Sequence, residues 1–334
     1  MAGRNIPDLD LLTEQWEPKV RKAFLDSIDG ITDRAKITDL ARLIERGDIE
    51  AVLDYLRINR LAYQRLELAI RDAYEAGGFR FTSNLPGFVS VIFDLRNPQA
   101  EQWLRDKSST LVTGIVEDQR NAIRGYLVEG LQQGQNPRTS ALDLVGRVAR
   151  ATGKRQGGVI GLTSQQEAFQ RAYALELSSD DPALLRAALR RQLRDKRFDR
   201  SITKAIRQKT ALPADIRVKM LTAYRNRMLK YRADVIARTE TLQSIAGSQY
   251  ETYRQAIAAG ELRADQVTKI WKAGLDERVR FSHNVLHNAE AQFDQAFTSP
   301  LGSQMRFPGD RELGARKEDI ISCRCQLRYL IRYE

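Results

Sequence analysis

The chain has 334 residues, 42% of them apolar and 29% charged, with a formal net charge of +11 and a pI near 9.7. That length suits two or three domains, and the composition is too apolar for a disordered chain. No apolar run reaches the length of a membrane span, and residues 1–20 carry Asp8, Asp10, Glu14 and Glu17 where a signal peptide would be apolar.

Residues 9–77 are expected to be helical. Apolar residues recur at helical spacing in Ile37, Leu40, Leu43 and Ile44, and again in Ala51, Leu53, Leu56 and Ile58. Thr38 and Asp39 are candidate caps, and Gly47-Asp48 separates two helices. Gly77-Gly78 predicts a break, followed by a Pro86-Gly87 turn and by Val89–Phe93, which reads as a short strand or an ordered loop. Asn97-Pro98 opens a helix through Trp103, and a second helix is expected over Leu111–Leu131, ended by Gly134 and Pro137. Thr139-Ser140 is expected to cap the next one. The loop from Gly153 to Gly161 is rich in glycine but lacks the Gly-Lys-Ser/Thr ending of a phosphate loop. Thr163 to Glu167 has the pattern of a capping box.

The excess positive charge is concentrated in residues 141–234, which suits nucleic acid or an acidic protein surface. Its densest part holds Arg186, Arg190, Arg191, Arg194, Lys196, Arg197, Arg200, Lys204, Arg207 and Lys209. Arg186, Arg190, Arg194 and Arg197 fall at helical spacing and predict one basic face. Phe198 is the only aromatic residue there, so phosphate contact is favoured over base stacking. A solvated helix face is the plain alternative.

Pro213 starts a long helix through about Ala258, ended by Gly260. Leu221, Tyr224, Met228, Tyr231, Val235, Leu242 and Ile245 form an apolar seam along it, interrupted at Arg238. Asp234 and Arg238 are spaced for a helical ion pair. Val267–Trp271 reads as a strand, Asp276–His287 as a helix, and Pro300-Leu301-Gly302 and Pro308-Gly309-Asp310 as turns. From Cys323 to Ile331 apolar and polar residues alternate, which predicts a strand with Cys323 and Cys325 on its apolar face.

The order of signals in this last part is specific. Arg238-Thr239-Glu240 on a helix is followed by Trp271, by Asp276 with Arg278 and Arg280, and by His283. Pro308-Gly309-Asp310 and Cys323-Arg324-Cys325 complete the set. This series resembles the phage Mu protein F-like family, the minor head or head-morphogenesis proteins of tailed phages. The resemblance is close over residues 230–334 and weaker from Phe93-Asp94 and Asn97-Pro98 to Trp103 and the helix after it. Residues 1–80 and the basic stretch around 160–210 resemble nothing identifiable. One departure is His287, where the family commonly has a glycine.

What the resemblance implies is a structural protein and not an enzyme. It would act in head assembly at or near the portal, in the virion head and, during assembly, in the host cytoplasm. Its expected partners are the portal protein, other head proteins and double-stranded DNA touched through phosphates, with no membrane. Some relatives carry a toxin domain after this module; with the chain ending two residues after Arg332, none is expected here.

The fold class expected is mainly α: residues 1–78 as an N-terminal helical region, 79–212 as a central helical region with the basic stretch, and 213–334 as the long helix with a small α+β domain. No cofactor is required on this reading. His283, Cys323 and Cys325 are nonetheless candidate zinc ligands, with Asp276 or His287 as a fourth, because thiolate and imidazole suit that ion. The one-residue spacing of the cysteines counts against it, and burial as small apolar side chains is the preferred expectation. His283 with Asp276 or Glu240 is also the only basis for a nuclease or other effector enzyme. A plain DNA-binding protein is the third reading. Glu240 and Arg238 are expected to pair with Arg278 or Arg280.

Overall fold

The computed structural model describes residues 6–274, 277 and 279–332. It is mainly α, as expected, with a small sheet region near the C-terminus. The helices are α1 (Ile6–Arg34), α2 (Ile37–Glu45), α3 (Ile49–Leu56), α4 (Gln64–Thr82), α5 (Pro98–Gln132) and α6 (Pro137–Val145). They continue with α7 (Ser164–Ser178), α8 (Pro182–Arg190), α9 (Asp199–Gln208), α10 (Ala214–Ala258), α11 (Phe281–Val285) and α12 (Lys317–Ile320). The strands are β1 (Arg147–Val148), β2 (Arg155–Gln156), β3 (Val267–Lys272), β4 (Glu290–Gln292), β5 (Phe297–Thr298), β6 (Gln304–Met305) and β7 (Gln326–Ile331).

Several boundaries follow from local chemistry. Asp48 accepts a hydrogen bond from Ala51 N and starts α3 after Gly47, whose φ is +72°. Thr163 and Gln166 form the reciprocal capping box of α7. Pro137 takes the first position of α6, but the cap is Asn136, not Thr139 or Ser140. Thr38 and Asp39 likewise fall inside the first turn of α2, which Lys36 precedes without a side-chain cap.

Two expectations are corrected, and one that was left open is decided. Gly77-Gly78 does not break the chain, since α4 runs on to Thr82. A Cβ on Gly77 would overlap the Ser248 hydroxyl, and one on Gly78 would overlap the Phe93 ring, so these glycines permit close approach rather than a turn. Val89–Phe93 is a loop: Ser90 N and Asp94 N donate to the side chains of Glu261 and Gln255 rather than to a strand. The two helices expected over residues 98–131 are one, α5.

The chain forms two compact units that interleave along the sequence. The first comprises Met1–Phe24, Arg65–Thr110 and Asp234–Glu334, and the second Leu25–Gln64 and Leu111–Ala233. The three consecutive regions drawn from the sequence follow the chain; these units follow its packing.

In the first unit β3 is the centre of an antiparallel sheet ordered β4-β3-β7, with Lys269 opposite Tyr329 and Trp271 opposite Leu327. Five consecutive residues of β3 are buried, as a strand covered on both faces requires. The core packs Leu242, Ile245 and Tyr253 of α10 with Trp271, Phe297, Met305, Phe307, Leu327 and Tyr329. Tyr253 stacks on Tyr329 at 4.1 Å between ring centres. From Thr239 to Gln249 every residue of α10 is buried. The seam therefore leaves no bare stripe along this part of α10, although Tyr231, farther toward its N-terminus, is exposed.

The second unit has a core of Tyr173, Leu177, Leu185, Ile202, Met220, Tyr224 and Met228, contributed by α7 to α10, with Leu162 from the loop before α7. Of the helical ion pair expected on α10, neither partner is taken by the other. Asp234 meets Arg21 at 2.5 Å and Arg238 meets Glu17 at 3.3 Å, both from α1 within the first unit. No helix among the described residues is long and apolar enough to cross a membrane.

Candidate functional site

The described residues of the C-terminal motif lie in the first unit. Trp271 lies on β3, His283 on α11, and Cys323 and Cys325 in the segment between α12 and β7. The strand expected from Cys323 begins only at Gln326, so the cysteines precede it, yet both are fully buried. His283 is 1% exposed. Its Nδ1 lies 3.5 Å from Cys323 Sγ and 3.2 Å from Cys325 Sγ. The three potential ligand atoms all lie within 4.8 Å of one another. The Trp271 ring meets the imidazole edge-on at 5.5 Å.

Behind the ring stands Asp319, a residue of α12 that the sequence reading did not single out. Its Oδ1 is 3.4 Å from His283 Nε2, close enough for electrostatic attraction without a formed hydrogen bond. Ser282 Oγ donates to Oδ1 at 2.9 Å and Ser299 Oγ to Oδ2 at 2.6 Å. Burial works against the Asp319 charge, but the serine hydroxyls and His283 outweigh it and keep the carboxyl below its ordinary range. The two thiols are driven apart. The hydrogen bond from Cys325 and the nearby imidazole hold Cys323 well below its usual range, against burial, while the hydrogen bond to Cys323 and burial push Cys325 up.

The cysteine segment is anchored to α10. Ser322 takes a left-handed φ of +53°, and its N donates to Thr239 Oγ1 at 2.9 Å. The next motif residue, Glu240, is 2% exposed and pairs with Lys107 at 3.2 Å and Arg311 at 3.3 Å. Of the partners expected for it, Arg278 lies outside the described residues and Arg280 is engaged elsewhere. Arg280 instead donates to the Ile321 carbonyl, and Arg238 pairs with Glu17. Burial lowers Lys107 to about 8 despite the attraction of Glu240, and Arg311 adds to the lowering. Asp310, in the Pro308-Gly309-Asp310 turn, is buried and accepts from Arg306 Nε at 2.7 Å. Gly309 has φ +86°, and a Cβ there would come within 2.7 Å of Gln243. Asp276 and Arg278 lie outside the described residues. His287 is not part of the cluster, since its Nδ1 accepts from Ala273 N at 3.2 Å.

Lys269 also escaped the sequence reading. It is fully buried in β3, with Nζ donating to the carbonyls of Gln295 at 2.5 Å and Arg306 at 3.1 Å, facing the rings of Tyr250, Phe293 and Phe297. Burial and the charge of Arg306 lower it to about 7, against Asp310 and Asp294. A lysine inside Val267–Trp271, the strand read from the sequence, was the available signal. For Asp319 the signal was weaker: an acid beside Ile320 and Ile321, four residues before Cys323.

In the second unit the basic stretch is not one helical face. α8 ends at Arg190, and a turn precedes α9. Three of the expected arginines serve the fold. Arg191 makes two bonds of 2.7 Å to Glu176, Arg194 two of 2.9 Å to Asp199, and Arg197 pairs with Asp195 at 2.7 Å. The free charge lies elsewhere. Arg200, Lys204 and Arg207 are exposed along one face of α9, opposite the buried Ile202 and Ala205. Arg186 and Arg190 on α8, with Lys196 and Lys209 in the flanking turns, are exposed too. None of these seven has a side-chain partner among the described residues. The same unit has a cleft of about 400 Å³ lined by residues including Tyr126, Glu167, Gln170, Arg171 and Arg225.

Residues 186–328 match the family described as Phage Mu protein F like protein. The match bears out the resemblance read from the motif order, and it begins upstream of the expected limit, taking in most of the basic stretch. No curated protein and no solved structure matches the chain.

Proposed function

Residues 186–328 carry the Phage Mu protein F-like module, and from it we infer that this chain is a phage head morphogenesis protein, a minor structural component of the virion head without catalytic turnover of its own. The single observation that carries the reading is the family match, which runs from α8 into β7. In this role the protein assembles with the portal and neighbouring head proteins, and the exposed basic face of α9 contacts DNA through phosphates. The arrangement of α9 supports that contact: Arg200, Lys204 and Arg207 are spaced four and three residues apart, unpaired among the described residues and turned away from the core. Phosphate contacts fix a duplex without reading its sequence, so the binding is expected to be indifferent to sequence and steeply salt-dependent.

The enzyme reading needs His283 to reach a substrate. At 1% exposure, between two sulfur atoms and a carboxylate, His283 is part of the interior. The direct test is mass spectrometry of purified heads with and without this chain, together with co-expression with the tagged portal protein. Recovery in heads and on the portal is expected. Absence from heads combined with failure to co-purify would sink the proposal, as would DNA cleavage that disappears in His283→Ala.

A further inference from the structure

The family match and the basic face leave one feature unused: a histidine and two cysteines, all buried, converging on a single point. We propose that His283, Cys323 and Cys325 bind one zinc ion, through His283 Nδ1 and the two Sγ atoms, with Asp319 orienting the imidazole from behind.

The distances fit. Tetrahedral zinc with Zn–S of about 2.3 Å and Zn–N of about 2.0 Å puts each sulfur roughly 3.5 Å from the nitrogen. Here those separations are 3.5 and 3.2 Å. A neutral imidazole with its proton on Nε2, toward Asp319, offers one lone pair at Nδ1, and that lone pair accepts one hydrogen. Two sulfurs approach it. A cation between the three atoms satisfies all of them, and binding releases the two thiol protons to solvent.

The surroundings supply what a zinc-bound histidine usually has. A carboxylate faces the far ring nitrogen and is itself fixed by two serine hydroxyls. Two elements position the cysteines: Thr239 Oγ1 holds Ser322 N, and Cys325 N donates to Cys323 Sγ at 3.4 Å. The one-residue spacing of the cysteines, which counted against a metal in the sequence, is met by this bent segment ahead of β7, which turns both sulfurs toward the same nitrogen. Among the described residues no further His, Cys or carboxylate joins the group.

The test uses the full chain, purified under reducing conditions without chelator. Zinc is measured by mass spectrometry after dialysis, and the metal-stripped protein is titrated with cobalt(II) chloride. About one zinc per chain and a thiolate-to-cobalt charge-transfer band are expected. Cys323→Ser and Cys325→Ser should each weaken that band and lose the zinc. Asp319→Asn should keep the band while lowering affinity roughly 10–100-fold, the usual cost of losing the group behind a ligand histidine. Should a cysteine variant fail to fold, the wild-type cobalt titration decides alone. Absence of zinc together with absence of the thiolate band in reduced wild-type protein would overturn the site. Unchanged affinity in Asp319→Asn would remove Asp319 from it.

Discussion

The two units use charge in opposite ways. In the first, the charged side chains of most interest are buried: Glu240 between Lys107 and Arg311, Lys269 among aromatic rings, and Asp319 behind His283. In the second, α9 holds Arg200, Lys204 and Arg207 in solvent, without partners among the described residues. Most of the motif residues that carry the family resemblance thus hold the C-terminal fold together. The exposed charges without partners among the described residues come from a stretch whose sequence shows only an excess of positive charge.

The largest effect should come from breaking the buried network. Glu240→Ala leaves Lys107 as a buried and uncompensated charge, and a loss of about 3–5 kcal/mol is expected in denaturant unfolding. Lys107→Met with Glu240→Leu should recover much of it, because replacing both partners by apolar groups removes the stranded charge. A Glu240→Ala loss below about 1 kcal/mol would mean that the pair behaves like a surface salt bridge, and the contrast between the units would fail.

Close packing in the first unit gives the next effect. Gly78→Ala drives a methyl into the Phe93 ring and should cost about 1–3 kcal/mol by overpacking, whereas alanine at a helical glycine with open space beside it would stabilise. Thermal unfolding of the variant separates these outcomes.

A pH effect follows from the buried lysines. Lys269 and Lys107 have folded pKa values of about 7 and about 8, below their ordinary value. The unfolded chain therefore binds more protons than the folded one above those values, so their contribution to stability rises with pH from about 7 toward the unfolded lysine pKa of about 10.4. Lys269→Met should flatten the lower part of that rise. A wild-type Tm that falls between pH 7 and 9, with the same slope in Lys269→Met, would contradict the burial assigned to this lysine.

What was legible in the sequence was mostly local. The Thr163 capping box, the Gly47-Asp48 separator and the end of α10 before Gly260 depend on neighbours a few residues away. Gly77-Gly78 misled because a glycine pair looks the same whether it permits a turn or the approach of Ser248 and Phe93 from distant segments. The histidine and cysteines were recognisable as a set because few residue types bind metal. Asp319 was not, since its meaning comes from Ser282 and Ser299 on other segments. The arginine spacing suggested a continuous face, but Glu176, Asp195 and Asp199 take up Arg191, Arg197 and Arg194, and such pairings appear only once the chain has folded.

The smallest stability effects belong to the surface of the second unit, where binding is the more telling readout. Arg200→Gln, Lys204→Gln and Arg207→Gln together should change the unfolding midpoint little, whereas Arg194→Gln breaks a partly exposed pair and should cost up to about 1 kcal/mol.

The central claim, that the free face of α9 and not the paired arginines meets DNA, is tested most directly by the salt dependence of duplex binding. Affinity would be measured over a series of salt concentrations for wild type, for the α9 triple variant, and for Arg191→Gln with Arg194→Gln. A log–log slope shallower by about 0.9 for each phosphate that the α9 variant no longer neutralises is expected, with a slope close to wild type in the other. Equal slopes in wild type and the α9 variant, with head incorporation abolished, would contradict it and make the face a docking surface for another head protein.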